Sequence, residues 1–155
     1  MDFNGADGYI EKDWGSAFPD SWVWMQCGDG RVTLMCAVAS IPLKLLRFTG
    51  VICVLRDGAR QYRLATYNGA RVSKLEWQGR ELLTELSHKY YRLSVRAQAG
   101  AFGYLQAPTP TGMDRRIQES INARFFVRLE RRGETVLQGS YAGGLEMLNI
   151  KELMK

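Results

Sequence analysis

The feature that most restricts how this chain can fold is an alternation of apolar and polar residues that restarts after almost every turn signal. Arg92 and Arg96 interleave with Leu93, Val95 and Ala97, and Arg124 and Arg128 interleave with Phe125, Val127 and Leu129. Successive side chains of an extended strand point to opposite faces, so each such run describes a strand with one face buried. The pattern predicts strands over 9–13, 21–28, 31–40, 48–57, 60–67, 70–77, 80–87, 89–98, 121–132 and 134–141. Between them, "CGDGR" at 27–31, "RDGAR" at 56–60, "YNGAR" at 67–71 and "RRGE" at 131–134 carry the residues that tight hairpins require, so consecutive strands are expected to pair antiparallel. So many strands in 155 residues create an edge problem that closure solves. The expected fold is therefore all-β: an antiparallel β-barrel or strongly bent β-sandwich of about eight to ten strands, built as a single domain over residues 1–155.

Two segments depart from this alternation. "MDRRIQESI" at 113–121 places Met113, Ile117 and Ile121 at a spacing that suits a short helix or turn. "GYLQAPTPTG" before it holds two of the four prolines and reads as the longest loop. Strands 21–28 and 48–55 are apolar on both faces: Phe48, Ile52 and Val54 point one way, Val51, Cys53 and Leu55 the other. A strand of this kind needs cover on its outer side too, so a second layer or another chain is expected there, with self-association as the simplest outcome unless the 101–112 loop lies across it.

Composition excludes several classes of function. Hydrophobic residues are 46% and charged residues 24% of the chain, and no apolar run approaches the roughly 18 residues of a membrane-spanning helix. "MDFNGADG" lacks the features of a secretory signal or transit peptide, which points to the cytoplasm. Cys27, Cys36 and Cys53 show no CxxC spacing and sit in apolar runs, so they read as core residues. With His88 as the one histidine, expected at the surface, no metal and no cofactor is anticipated. The net charge of +5 is spread over the solvent faces of strands, a distribution that speaks against nucleic acid as a partner.

Chemistry concentrates in "GYIEKDWGSAFPDSWVWMQ", residues 8–26. If the segment is extended, Tyr9, Glu11 and Asp13 share one face, and Ile10, Lys12 and Trp14 the other. Two carboxylates held close in a dry site cannot both ionise cheaply, so one would keep its proton near neutrality. The competing structural reading pairs Glu11 and Asp13 with Lys12 or with distant arginines. Trp22, Trp24 and Gln26 share a face and suit either a ligand cavity or a plain core. Asp114, Arg115, Arg116 and Glu119 form a charged cluster that is either a site or a solvated helix start. No GxSxG, P-loop or dinucleotide motif is present.

The same motif closely resembles the signature of the tocopherol cyclase family and its bacterial relatives, and "FTGVICVL", "YRLATYNGARVSKLEW", "YRLSVRA" and "GMDRRIQESINARFFVRL" follow in the family's order. Members of that family have two lipocalin-like β halves, and the resemblance implies that this chain corresponds to the C-terminal half, inactive when isolated. It implies an isomerase- or lyase-type ring closure, in which a protonated side-chain double bond of a prenylated hydroquinone is captured by the phenol oxygen to give a chromanol. Such chemistry needs a protonated acid in an apolar cavity, aromatic faces toward the cation and exclusion of water. The motif supplies Glu11 or Asp13 as acid, Trp14, Trp22 and Trp24 as aromatic faces, and Tyr9 or Gln26 to orient the phenol, with Asp114 and Arg115 as further substrate contacts. The implied partners are a hydrophobic small molecule and the other half, with membrane association giving access to the substrate. The alternative expectation is a lipocalin-like domain that binds a hydrophobic small molecule without converting it.

Overall fold

The computed structural model describes residues 4–5, 8–12, 18–43, 46–109 and 112–154. Its strands are β1 (Trp22–Gly28), β2 (Val32–Leu43), β3 (Leu46–Asp57), β4 (Arg60–Ala65), β5 (Arg71–Gln78), β6 (Glu81–Ser87), β7 (Tyr91–Gln98), β8 (Gly103–Thr109), β9 (Gly112–Arg131) and β10 (Glu134–Leu148), followed by a helical turn α1 (Ile150–Leu153). All ten strands form one antiparallel sheet in the order β4-β3-β2-β1-β10-β9-β7-β6-β5, with β8 added on β9. The first and tenth strands pair directly, Trp22 opposite Leu148 and Trp24 opposite Glu146.

The ends of the hydrogen-bonded path, β4 and β5, are neighbours in the chain. They are joined by a 3-10 turn at 66–68 in which Asn68 Oδ1 accepts the Ala65 N–H at 3.0 Å and Thr66 Oγ1 accepts the Val51 N–H at 2.8 Å. The sheet therefore curls into a barrel-like shape. Met25, Leu34, Leu55, Leu64, Leu82, Leu93, Phe125 and Leu145 from strands all round it meet in one interior core. Cys27, Cys36 and Cys53 lie in that core as free thiols with no solvent exposure.

The predicted hairpins form for the predicted reasons. In the β1–β2 turn the Asp29 carboxylate accepts the N–H groups of Arg31 and Val32 at 3.2 and 2.7 Å. In the β9–β10 turn Arg132 and Gly133 both take left-handed backbone, φ 53° and 89°, as a two-residue hairpin demands.

Four expectations are corrected. Residues 113–121 form no helix but the first half of β9, since Met113, Ile117 and Ile121 fit a period of two as well as a period of four, and pairing with β8 and β10 decides for the strand. The expected loop over 103–112 is largely β8, where Pro108 is tolerated because the strand pairs on one side only, while Pro110 lies outside the described residues. The described part of the expected first strand, residues 8–12, is irregular and joins no ladder. His88, expected at the surface, is half-buried, stacked on Tyr91 and within 3.1 Å of the Asn68 carbonyl.

One irregularity of β9 controls what lies outside the barrel. Ala123 faces Gly143 and Ser120 faces Leu145 in β10, so β9 carries one extra residue there, a β-bulge. Because side chains alternate, the extra residue reverses the facing of everything before it. Ala123, Phe125, Val127 and Leu129 point into the core, whereas Ile117 belongs to a second, small apolar cluster with Trp22 and Ala107, flanked by Trp24, Ala39 and Leu148. Trp22 lies on the face of β1 opposite the core residues Val23 and Met25.

Candidate functional site

The outer cluster is where the chemistry-bearing residues converge. On β1, Trp22 is almost fully buried and Trp24 half-buried. On β10, Glu146 stands directly opposite Trp24 on one side and opposite Glu119 of β9 on the other. The Trp22 indole N–H donates to Glu146 Oε1 at 2.6 Å. Tyr9 and Glu11 reach the same face: Tyr9 O–H donates to Glu11 Oε2 at 2.6 Å, and the Trp24 indole N–H donates to that oxygen at 3.2 Å. The rings of Tyr9 and Trp24 sit 6.3 Å apart. Both tryptophans thus present an N–H to a carboxylate; the Trp22 ring is packed into the small cluster, while the Trp24 ring stays half-exposed.

Glu146 is the perturbed acid of this group. Burial pushes its pKa above the ordinary glutamate value; the Trp22 hydrogen bond opposes that shift, and the nearby charges of Glu119 and Glu11 reinforce it. Among the described residues, no ion pair reaches Glu119 or Glu146. The arrangement is a half-buried carboxyl that accepts the Trp22 indole N–H, stands opposite Trp24 in the ladder and, among the described residues, has no ion-pair partner, so burial and like charges raise its pKa.

Basic groups serve a neighbouring post. Arg115, on β9, donates to the Pro19 carbonyl at 2.9 Å and to Asp20 Oδ1 at 3.3 Å, while Arg47 of β3 donates to Asp20 Oδ2 at 2.8 Å. These contacts anchor the chain just before β1, and the Arg47 hydrogen bond, followed by the charges of Arg47 and Arg115, holds Asp20 below the usual carboxylate range despite some opposing desolvation. Phe18 adds a ring contact to Trp22 at 5.8 Å.

Of the residues singled out from the sequence, Tyr9, Glu11, Trp22 and Trp24 come together, with Glu11 and Tyr9 exposed. Gln26 shares their face two positions along β1, opposite Gly144. Arg115 lies at the margin of the cluster, and Asp114 is apart, its carboxylate accepting from Thr109 Oγ1 at 2.7 Å in the β8–β9 hairpin. Asp13 and Trp14 lie outside the described residues. Sequence reading missed Glu146. Its signal is the one acid in "GGLEML", at the alternate position to the buried Leu145 and Met147.

Fold and cluster together define a barrel-like β protein with an acid site framed by indoles on the outer side of its sheet. A profile of tocopherol cyclase-like proteins matches residues 1–147, and the chain belongs to that family. No solved structure matches it.

Proposed function

We propose that the protein takes part in proton-initiated cyclisation of a prenylated hydroquinone to a chromanol, with Glu146 as the acid. One observation carries the reading: Glu146 is half-buried between Trp22 and Trp24, accepts the Trp22 N–H on Oε1, and has its pKa raised by burial. With Oε1 engaged, Oε2 carries the proton. Transfer of that proton to the less substituted carbon of the side-chain double bond leaves a tertiary cation on the other carbon. The face of the half-buried Trp24 stabilises it, an effect on the order of 2 kcal/mol in a dry site, and Trp22 acts through its N–H on Glu146. The phenol oxygen then forms the C–O bond, and its proton returns to the Glu146 carboxylate, which restores the acid. Glu11, held by Tyr9 and Trp24, orients the phenol, and Asp13 and Trp14 remain candidates beside it.

In this reading the chain is one β half of a longer protein, and the other half covers Glu11 and Tyr9 to exclude water. The experiment is Glu146→Gln in the full-length protein with a prenylated hydroquinone as substrate. Turnover should fall by about a hundredfold or more, as for loss of a general acid, while substrate affinity stays within a few-fold. A second reading, binding without conversion, is favoured by the exposure of Glu11 and Tyr9. Full-length protein that binds the hydroquinone and never converts it would decide for that reading.

A further inference from the structure

One row crosses the outer face of the sheet: Trp24 of β1, Glu146 of β10, Glu119 of β9 and Gly103 of β8, each directly opposite the next in its ladder. Glu119 lies two positions from Ile117 along an unbroken stretch of ladder, so it shares the outer face with it. Like Glu146 it is half-buried. Residues directly opposite in an antiparallel pair have Cβ atoms about 4.5–5.5 Å apart, which brings the two carboxyl groups within reach of each other.

Two carboxylates so placed destabilise a ladder when both are charged and no cation lies beside them. The two bases of this part of β9 are engaged elsewhere: Arg115 donates to the Pro19 carbonyl and to Asp20, and Arg116 stacks 3.5 Å from the Tyr104 ring. The charges that act on Glu146 are those of Glu119 and, from the residues before β1, Glu11. One proton held between Glu119 and Glu146 relieves the repulsion, and such a pair contains one acid and one base.

What flanks the pair divides the two roles. On the side of Glu146 the Trp24 ring lies over Gly144, where an added Cβ would be 3.4 Å from Cζ3. On the side of Glu119 an added Cβ at Gly103 would meet nothing nearer than the Glu119 carbonyl oxygen at 3.9 Å. Aromatic surface thus adjoins the acid, and open room adjoins the second carboxylate. In a closing chromanol ring, the carbon that takes a proton and the oxygen that loses one are both neighbours of the cationic carbon. The reaction therefore needs a proton donor and a proton acceptor side by side, which is what a cross-strand pair supplies.

We propose that Glu119 is a second catalytic carboxylate of this site, the base that takes the phenol proton and hands it across the ladder to Glu146. The proposal rests on the cyclase reading and names the proton acceptor within it. As the C–O bond forms, the phenol O–H bond breaks and its electron pair stays on the oxygen. The proton goes to the Glu119 carboxylate and from there to the Glu146 carboxylate, which has just given one up. The pair holds one proton before and after, and no oxidant or reductant takes part.

The test uses the full-length protein with a prenylated hydroquinone and compares Glu119→Ala and Glu119→Gln with Glu146→Gln. Glu119→Ala should lower kcat by about a hundredfold with KM within a few-fold. Sodium formate, small enough for the room beside Gly103, should restore part of that loss in Glu119→Ala and none in Glu119→Gln, whose amide fills the space. Carboxyl 13C NMR reads the pair without turnover: in Glu119→Gln the Glu146 titration should move down from its wild-type position, because a like charge is gone. A urea midpoint no lower than wild type shows that Glu119→Gln is folded. Wild-type kcat in both Glu119 variants, with turnover lost in Glu146→Gln, overturns the proposal and leaves the cyclase reading standing. A fall in kcat that formate does not reverse, with the Glu146 titration unmoved, also overturns it and makes Glu119 a structural residue. Wild-type protein that never converts the hydroquinone overturns both.

Discussion

Replacing Trp22 with phenylalanine deletes the N–H that Glu146 accepts at 2.6 Å and trims a ring packed on Ala107 and Ile117. The two losses depend differently on pH. Packing in the small outer cluster costs about 1–2 kcal/mol at any pH. The hydrogen bond contributes about 1.5–3 kcal/mol while Glu146 is ionised and about 1 kcal/mol while it is protonated. Glu146 has a folded pKa above its ordinary value, so ionising it costs the native state free energy. That cost is absent below the ordinary glutamate value and develops as the pH rises through the raised one. The Trp22 N–H offsets part of it, so Trp22→Phe should steepen the loss of stability on the alkaline side. A double-mutant cycle with Glu146→Met, which keeps length without oxygens, isolates the pair. Urea denaturation should give a coupling of about 2 kcal/mol at mildly alkaline pH, worth about 4–8 °C in Tm, and about half of that where Glu146 is protonated. A coupling near zero, or one equal at both pH values, would refute the assignment of Glu146 as a buried acid held by Trp22.

Two further outcomes test the fold. A Cβ at Gly143 would lie 1.9 Å from the Gln26 carbonyl oxygen, so Gly143→Ala should force β1 and β10 apart and cost several kcal/mol, whereas Gly112→Ala, with nothing within 4 Å, should be close to neutral in the same urea titration. Burial raises the Cys27 thiol pKa to about 12 and leaves Cys27, Cys36 and Cys53 without solvent contact, so a thiol reagent should label none of them in the native protein and all three in urea; rapid native labelling would mean that the barrel opens.

The barrel was readable because period two and the hairpin residues are local signals. Leu93, Val95 and Ala97 report their own facing, and "RRGE" its own turn. β9 was harder, because the extra residue near Ile121 and Asn122 makes the facing of Ile117 the reverse of what Phe125 suggests, and no short window reveals that. Tyr9, Glu11, Trp22 and Trp24 were found since one motif contains them. Glu146 was not, because what marks it is its neighbours on other strands: Glu119 becomes one through a ladder with β9, and Trp22 through a ladder that spans nearly the whole described chain. The exposed outer faces of Phe48 and Ile52 followed from a strand apolar on both sides.

Trp22 and Glu146 lie 124 residues apart in sequence, on the two strands whose pairing links the two arms of the sheet. During synthesis β1 gains β2 at once as a hairpin, but its other edge stays open until β10 emerges. That long-range pairing is slow, and the open edge is a point at which nascent chains aggregate. It also means that the indole and the acid cannot meet until β10 has been made, so a chain cut short before β10 lacks the Trp22–Glu146 pair altogether.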